Sequence, residues 1–148
     1  MRAELRAFLA YPARDKLLFI RAWFLLLALD IALRTLPFRK LQNWLGSPRR
    51  IRTTAKDEPV EVTIQRFSGL LERAARHHLY PMTCLRQSLA LQWLLSRQGI
   101  QTELRFGVRR EAGKLDAHAW LEYQGEPIGE TTSPEEQFTP LKTHRGVQ

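Results

Sequence analysis

"CLRQSLALQWLLSRQGIQTELRFGVRREAGKLDAHAWLEY", residues 84–123, changes its repeat partway along. In the first half apolar residues recur at helical spacing. Leu85, Leu89, Trp93 and Leu94 form one face, and Gly99 supplies the stop. Beyond Gly99 the period drops to two. Thr102, Leu104, Phe106 and Val108 alternate with Glu103, Arg105 and Gly107, the pattern of a half-buried strand. "REAGK" reads as a turn and "LDAHAWLEY" as a second strand. "QGEP" reads as another turn and "IGETT", residues 128–132, as a short third strand. A helix followed by an antiparallel meander makes the class α+β.

Upstream the spacing is helical. From Val60, the residues Ile64, Phe67, Leu70, Leu71, Ala74, Ala75 and His78 recur at i, i+3, i+4 until Tyr80-Pro81 breaks the run. Thr83 then reads as an N-cap and Cys84 as the first helical turn. His77 and His78 lie where a helix C-terminus offers carbonyls, and His144 sits in a polar tail. "RDKLLFIRAWFLLLALDIALRT", residues 14–35, predicts a long, mostly buried helix between Pro12 and Pro37. Its uninterrupted apolar run, Ala22 to Leu29, is far short of the roughly 18–20 residues a spanning helix needs. A helix lying in a membrane interface, making peripheral contact, is the alternative. "FRKLQNWLGSP" predicts a short amphipathic helix, and "RRIRTTAKDEP" a basic connector. From Ser133 the chain is polar and reads as loop or disordered tail. Three regions result: a basic helical one over 1–56, a core over 57–132 and the tail over 133–148.

The net charge of +8 is unevenly spread. Residues 1–56 hold twelve basic and three acidic side chains, for +9, and the remainder carries −1. Such a split suits an acidic partner, a membrane surface or nucleic acid. The exposed-looking arginines of the connector, Arg49, Arg50 and Arg52, are the candidate partner-binding residues. No nucleic-acid motif, and no basic patch interleaved with aromatics, accompanies the charge. Cys84 is the only cysteine among 148 residues, so no internal disulfide exists and a structural zinc site is not expected. A free thiol and an N-terminus without an apolar h-region point to a cytoplasmic protein.

That cysteine opens a helix, where unpaired N–H groups and the partial positive charge favour an anion. A cysteine nucleophile also needs a base, most often histidine. His118 lies on the second strand with Trp120 on its face. A third group should hold the imidazole in the useful tautomer. Asp116 and Glu122 project from the same strand face. Glu130 is reached through the hairpin: a turn centred near Gln124-Gly125 sets positions 130 to 132 opposite His118. Glu130 is preferred as the orienting group, with Asp116 as the alternative. A buried structural cysteine and a core histidine would account for the same letters.

Residues 84–130, from "CLRQSLALQWLLSRQGI" through "FGVRR" to "AHAWLEYQGEPIGE", resemble the transglutaminase-like cysteine peptidase domain of lasso peptide biosynthesis protein B. "LRTLPFRKL" is similar to that family's N-terminal helices more loosely. The resemblance implies a papain/transglutaminase-like core, with the cysteine helix packed on a small antiparallel sheet. It sets the nucleophile on Cys84, the base on His118 and the third member on or near Glu130, where the family commonly has aspartate. It implies removal of the leader from a ribosomally made precursor peptide, with no cofactor or metal. A separate ATP-using cyclase would then close the lasso ring. The length matches the stand-alone peptidase form, which borrows leader recognition from a small separate protein. Two rival expectations are another acyl transfer or amidase reaction on the same triad, and a non-enzymatic module whose basic third binds membrane or nucleic acid.

Overall fold

A computed structural model describes residues 12–46, 58–130 and 134–141. Arg49, Arg50 and Arg52 lie outside the described residues. Helices α1 (Ala13–Thr35), α2 (Phe38–Gly46), α3 (Val60–Arg76) and α4 (Cys84–Ser96) precede strands β1 (Glu103–Glu111), β2 (Lys114–Tyr123) and β3 (Glu126–Ile128). A single helical turn, α5 (Pro134–Gln137), leads into β4 (Thr139–Pro140). The sheet is antiparallel, in the order β3-β2-β1-β4. The fold is therefore mixed α+β, with four helices and a short turn of helix on a four-stranded sheet among the described residues.

α1 starts at Pro12 and ends where Pro37 forces Leu36 into the extended region (φ −115°, ψ 145°). The expectation that α1 is mostly buried is corrected. Only Ala22, Leu26, Leu29 and Asp30 are buried, while Leu17, Ile20, Phe24 and Ile31 stand about half in solvent. Apolar residues occupy opposite sides of the helix, so periodicity cannot say which face goes inward.

α4 differs from its sequence reading in the opposite direction. One apolar face was expected, yet Ser88, Gln92 and Ser96 are buried alongside Leu89, Ala90, Leu91, Leu94 and Leu95. The cause is position, because α4 packs against α1, α2, α3 and the sheet together. Each of its buried polar side chains makes one hydrogen bond, and Gln92 Oε1 is left without a partner. Ser88 Oγ donates to the Ala119 carbonyl (2.9 Å), and Gln92 Nε2 to that of Thr102 (3.2 Å). Leu89, Leu95, Ala22, Leu26, Phe67, Leu71, Ala119 and Leu121 share one apolar cluster, so helices and sheet have a common core.

Both hairpins turn in two residues with positive φ: Ala112-Gly113 (49°, 79°) and Gln124-Gly125 (53°, 87°). This geometry matches the right-handed twist of the strands it joins. It also moves the third strand. Glu126 and Pro127, expected in the turn, pair with Tyr123 and Glu122. β3 ends at Ile128 because Gly129 (φ 74°) swings the chain out of the sheet. The segment after Ser133 is likewise not all loop. β4 pairs Pro140 with Gly107 and Thr139 with Val108, and the Leu141 N–H donates to the Phe106 carbonyl (2.8 Å).

Candidate active site

Cys84 occupies the first position of α4. Thr83 caps the helix through its backbone (φ −71°, ψ 157°), and its side chain makes no capping hydrogen bond. The first intrahelical bond runs from the Gln87 N–H to the Thr83 carbonyl (3.1 Å). The N–H groups of Cys84, Leu85 and Arg86 therefore precede the helical ladder and point where an anion would be held. The loop before them is pinned by Gln87 Nε2, which donates to the Met82 carbonyl (3.0 Å).

The start of α4 is anchored a second way. Asp30 of α1 is only 2 % exposed. It accepts from the Tyr80 hydroxyl (2.7 Å) and from Arg34 Nε (3.0 Å), and it pairs with Arg86 (2.6 Å). Tyr80 precedes the cysteine loop and Arg86 follows the cysteine by two positions, so α1 grips the helix start from both sides. The Tyr80 hydrogen bond lowers the Asp30 carboxyl below its ordinary value against the opposing effect of burial, with Arg34 and Arg86 adding to the lowering. The same bond, with burial, raises the Tyr80 phenol.

His118 sits on β2 opposite Gly107 of β1. Its Nε2 lies 3.1 Å from Glu130 Oε1, both side chains being about a quarter exposed (23 % and 28 %). A carboxylate only accepts, so in the neutral imidazole Nε2 is the donor and the lone pair is on Nδ1. Asp116 projects from the same strand face but is held across the sheet by Arg109 Nε (3.0 Å), at the register position Arg109↔Asp116. Glu122 is buried and accepts from Arg105 Nε (2.8 Å) and Trp120 Nε1 (3.1 Å).

Cys84, His118 and Glu130 all line one cleft of about 280 Å³. Its apolar lining includes Leu71, Leu91 and Ile128, and Ser68 and Gln87 are polar contributors. A thiol at a helix start, an imidazole whose far nitrogen donates to a carboxylate, and unladdered backbone N–H groups form a set suited to nucleophilic acyl transfer.

The sequence reading did not include the support behind His118. Phe138 stacks on the imidazole with centroids 5.1 Å apart and planes inclined by 27°. Trp120, fully buried, lies nearly parallel to His118 at 6.1 Å. The Arg109 guanidinium covers the Phe138 ring at 4.7 Å. Gly107 makes room for this packing. A Cβ there would stand 2.8 Å from Phe138 Cβ and 2.9 Å from the Trp120 ring. The signals in the sequence were slight: a lone aromatic in a polar tail, and a glycine within a strand, which often marks a close approach.

A family model described as the Transglutaminase-like superfamily matches residues 25–143, the greater part of the chain. No curated protein and no solved structure matches it.

Proposed function

The chain belongs to the transglutaminase-like superfamily, and we propose that it is a cysteine peptidase that removes the leader from a ribosomally made lasso precursor peptide. The observation that carries the chemistry is the cleft shared by Cys84, His118 and Glu130, with His118 Nε2 engaged by Glu130. The resemblance of residues 84–130 to lasso peptide biosynthesis protein B supports the substrate.

In this reading the Cys84 thiol gives its proton to His118 Nδ1. The thiolate attacks the scissile carbonyl and forms a C–S bond. The tetrahedral oxyanion is held by the backbone N–H of Cys84. Collapse breaks the C–N bond, and the imidazolium returns its proton to the departing amine, the new N-terminus of the core peptide. Water, deprotonated by His118, then attacks the thioester. The leader leaves with a free carboxylate and Cys84 is restored. Glu130 keeps the proton on Nε2 and balances the imidazolium charge. Catalysis would take place in the cytoplasm, with a separate protein presenting the leader and an ATP-using cyclase consuming the product.

The test is mass spectrometry of a precursor incubated with the chain and the leader-binding protein. Release of leader and core by the wild type, and by neither Cys84→Ala nor the leader-binding protein alone, is the expected result. An alanine variant that cleaves near the wild-type rate overturns it. A leader product bearing an added amine in place of a carboxylate would redirect the assignment to acyl transfer.

A further inference from the structure

We infer that the outward face of α1 is a docking surface for an anionic lipid bilayer. This rests on the helix surface and not on the peptidase reading. Leu17, Ile20, Phe24 and Ile31 are exposed by 48, 45, 60 and 54 %. At 100° per residue the four fall within a sector of about 60°, and the stripe runs roughly 20 Å along the axis. Large apolar side chains in line on one face are unlike the scattered apolar residues of an ordinary surface.

The borders of the stripe identify its occupant. By the same helical geometry Arg14 and Arg21 lie along one edge, and Lys16 and Arg34 along the other. Arg14, Arg21 and Arg34 are exposed. The two acids of α1 lie toward the protein: Asp15 against Arg66 and Arg14, and Asp30 in its buried site against Tyr80, Arg86 and Arg34. Arg34, and Arg14, which also pairs with Glu58, are thus each partly neutralised while standing about two-thirds exposed. The exposed face therefore combines an apolar centre with predominantly cationic edges. Long basic side chains on both flanks can reach the headgroup level while the apolar centre enters the acyl boundary. The contact is superficial, since no described helix is long and apolar enough to cross a membrane.

The full chain is floated with vesicles of phosphatidylcholine alone and of phosphatidylcholine mixed with phosphatidylglycerol. Association with the anionic vesicles should exceed that with the neutral ones by about tenfold, and should fall as salt rises from about 0.05 M to about 0.5 M. The double variant Phe24→Ser/Ile31→Ser should lose about tenfold in binding while keeping the wild-type melting temperature, because both positions are exposed. Arg21→Glu should reduce the preference for anionic lipid. No flotation with anionic vesicles at low salt overturns the inference, as does unchanged binding by the double variant. It is also overturned if the wild type fails to bind vesicles and instead forms a dimer that the double variant cannot.

Discussion

Phe138 and His118 stack face to face, 5.1 Å between centroids, although one lies beyond the sheet's third strand and the other in its middle. The contact restrains the imidazole at a ring face, while Glu130 engages its Nε2 at the ring edge. Phe138→Ala is expected to reduce kcat of the proposed cleavage by about tenfold with KM nearly unchanged, since a positioning group acts on the reacting geometry. Phe138→Tyr should restore most of the loss. The pH profile of kcat should shift in Phe138→Ala and return in Phe138→Tyr, which a purely structural defect would not produce. Equal kcat in all three would remove Phe138 from the site's function.

Gly107→Ala provides an independent probe of the same contact. Its added methyl meets Phe138 Cβ at 2.8 Å and the Trp120 ring at 2.9 Å, so one of them must move. Overpacking of this kind costs about 1–3 kcal/mol. Thermal unfolding should show that loss, and activity should fall as it does in Phe138→Ala.

Glu130→Gln should lower kcat by about 10²- to 10⁴-fold, because the amide can present either an oxygen or a donor to Nε2 and no longer selects one tautomer. Asp116→Asn keeps Nε2 on Glu130 and disturbs only the exposed pair with Arg109, so its rate should stay within about threefold. Parallel single-turnover measurements on the two variants would decide. A larger loss for Asp116→Asn would move the orienting role to that residue.

Acid should loosen the grip of α1 on the cysteine helix. The Asp30 carboxyl is held below its ordinary value in the fold, so it contributes stability above that value. The contribution is lost as pH falls through the depressed folded value. The Tyr80 phenol is raised, so its contribution is present below the ordinary phenol value of about 10 and is lost at alkaline pH beyond it. Asp30→Asn should therefore flatten the acid limb of the melting-temperature profile. It should also destabilise more at neutral pH than Arg34→Ala, because it leaves the partly buried Arg86 without its carboxylate. An unchanged acid limb would assign the acid sensitivity elsewhere.

Reversing Arg49, Arg50 and Arg52 together should slow cleavage assisted by the leader-binding protein and leave the slower unassisted rate unchanged. The +9 charge of residues 1–56 would speed encounter with an acidic partner. Steady-state rates at two salt concentrations test it. Equal loss in both rates would mean a folding defect, and no loss in either would leave these arginines as solvated charge.

Legibility followed locality. The start of α4 at Thr83-Cys84 and its stop near Gly99 were readable because capping and termination depend on neighbours in sequence. The proximity of Glu130 to His118 was readable because a tight turn at Gln124-Gly125 determines which residues come back toward His118, even though the strand itself proved to be Glu126–Ile128. Asp116 shares the strand face by alternation, and what alternation does not show is that Arg109 holds it across the sheet while Glu130 meets His118. The Phe138 stack, and the Asp30 site joining residues 50 positions apart, are distant pairings that no local pattern announces. The exposed face of α1 was hidden for another reason: a helix with apolar residues on opposite sides does not reveal which side faces the core.

The link from Asp30 to Tyr80 and Arg86 also bears on how the chain folds as it is made. Synthesis from the N-terminus completes α1 long before the residues that bury its inner face and satisfy its aspartate. Closing that distance carries a loop-entropy cost that local helix formation does not recover. The Asp30 site cannot be completed before Tyr80 and Arg86 are made, and until then the nascent chain displays apolar residues on both faces of α1. That interval is when aggregation, or capture by a chaperone, competes most strongly with the native pathway.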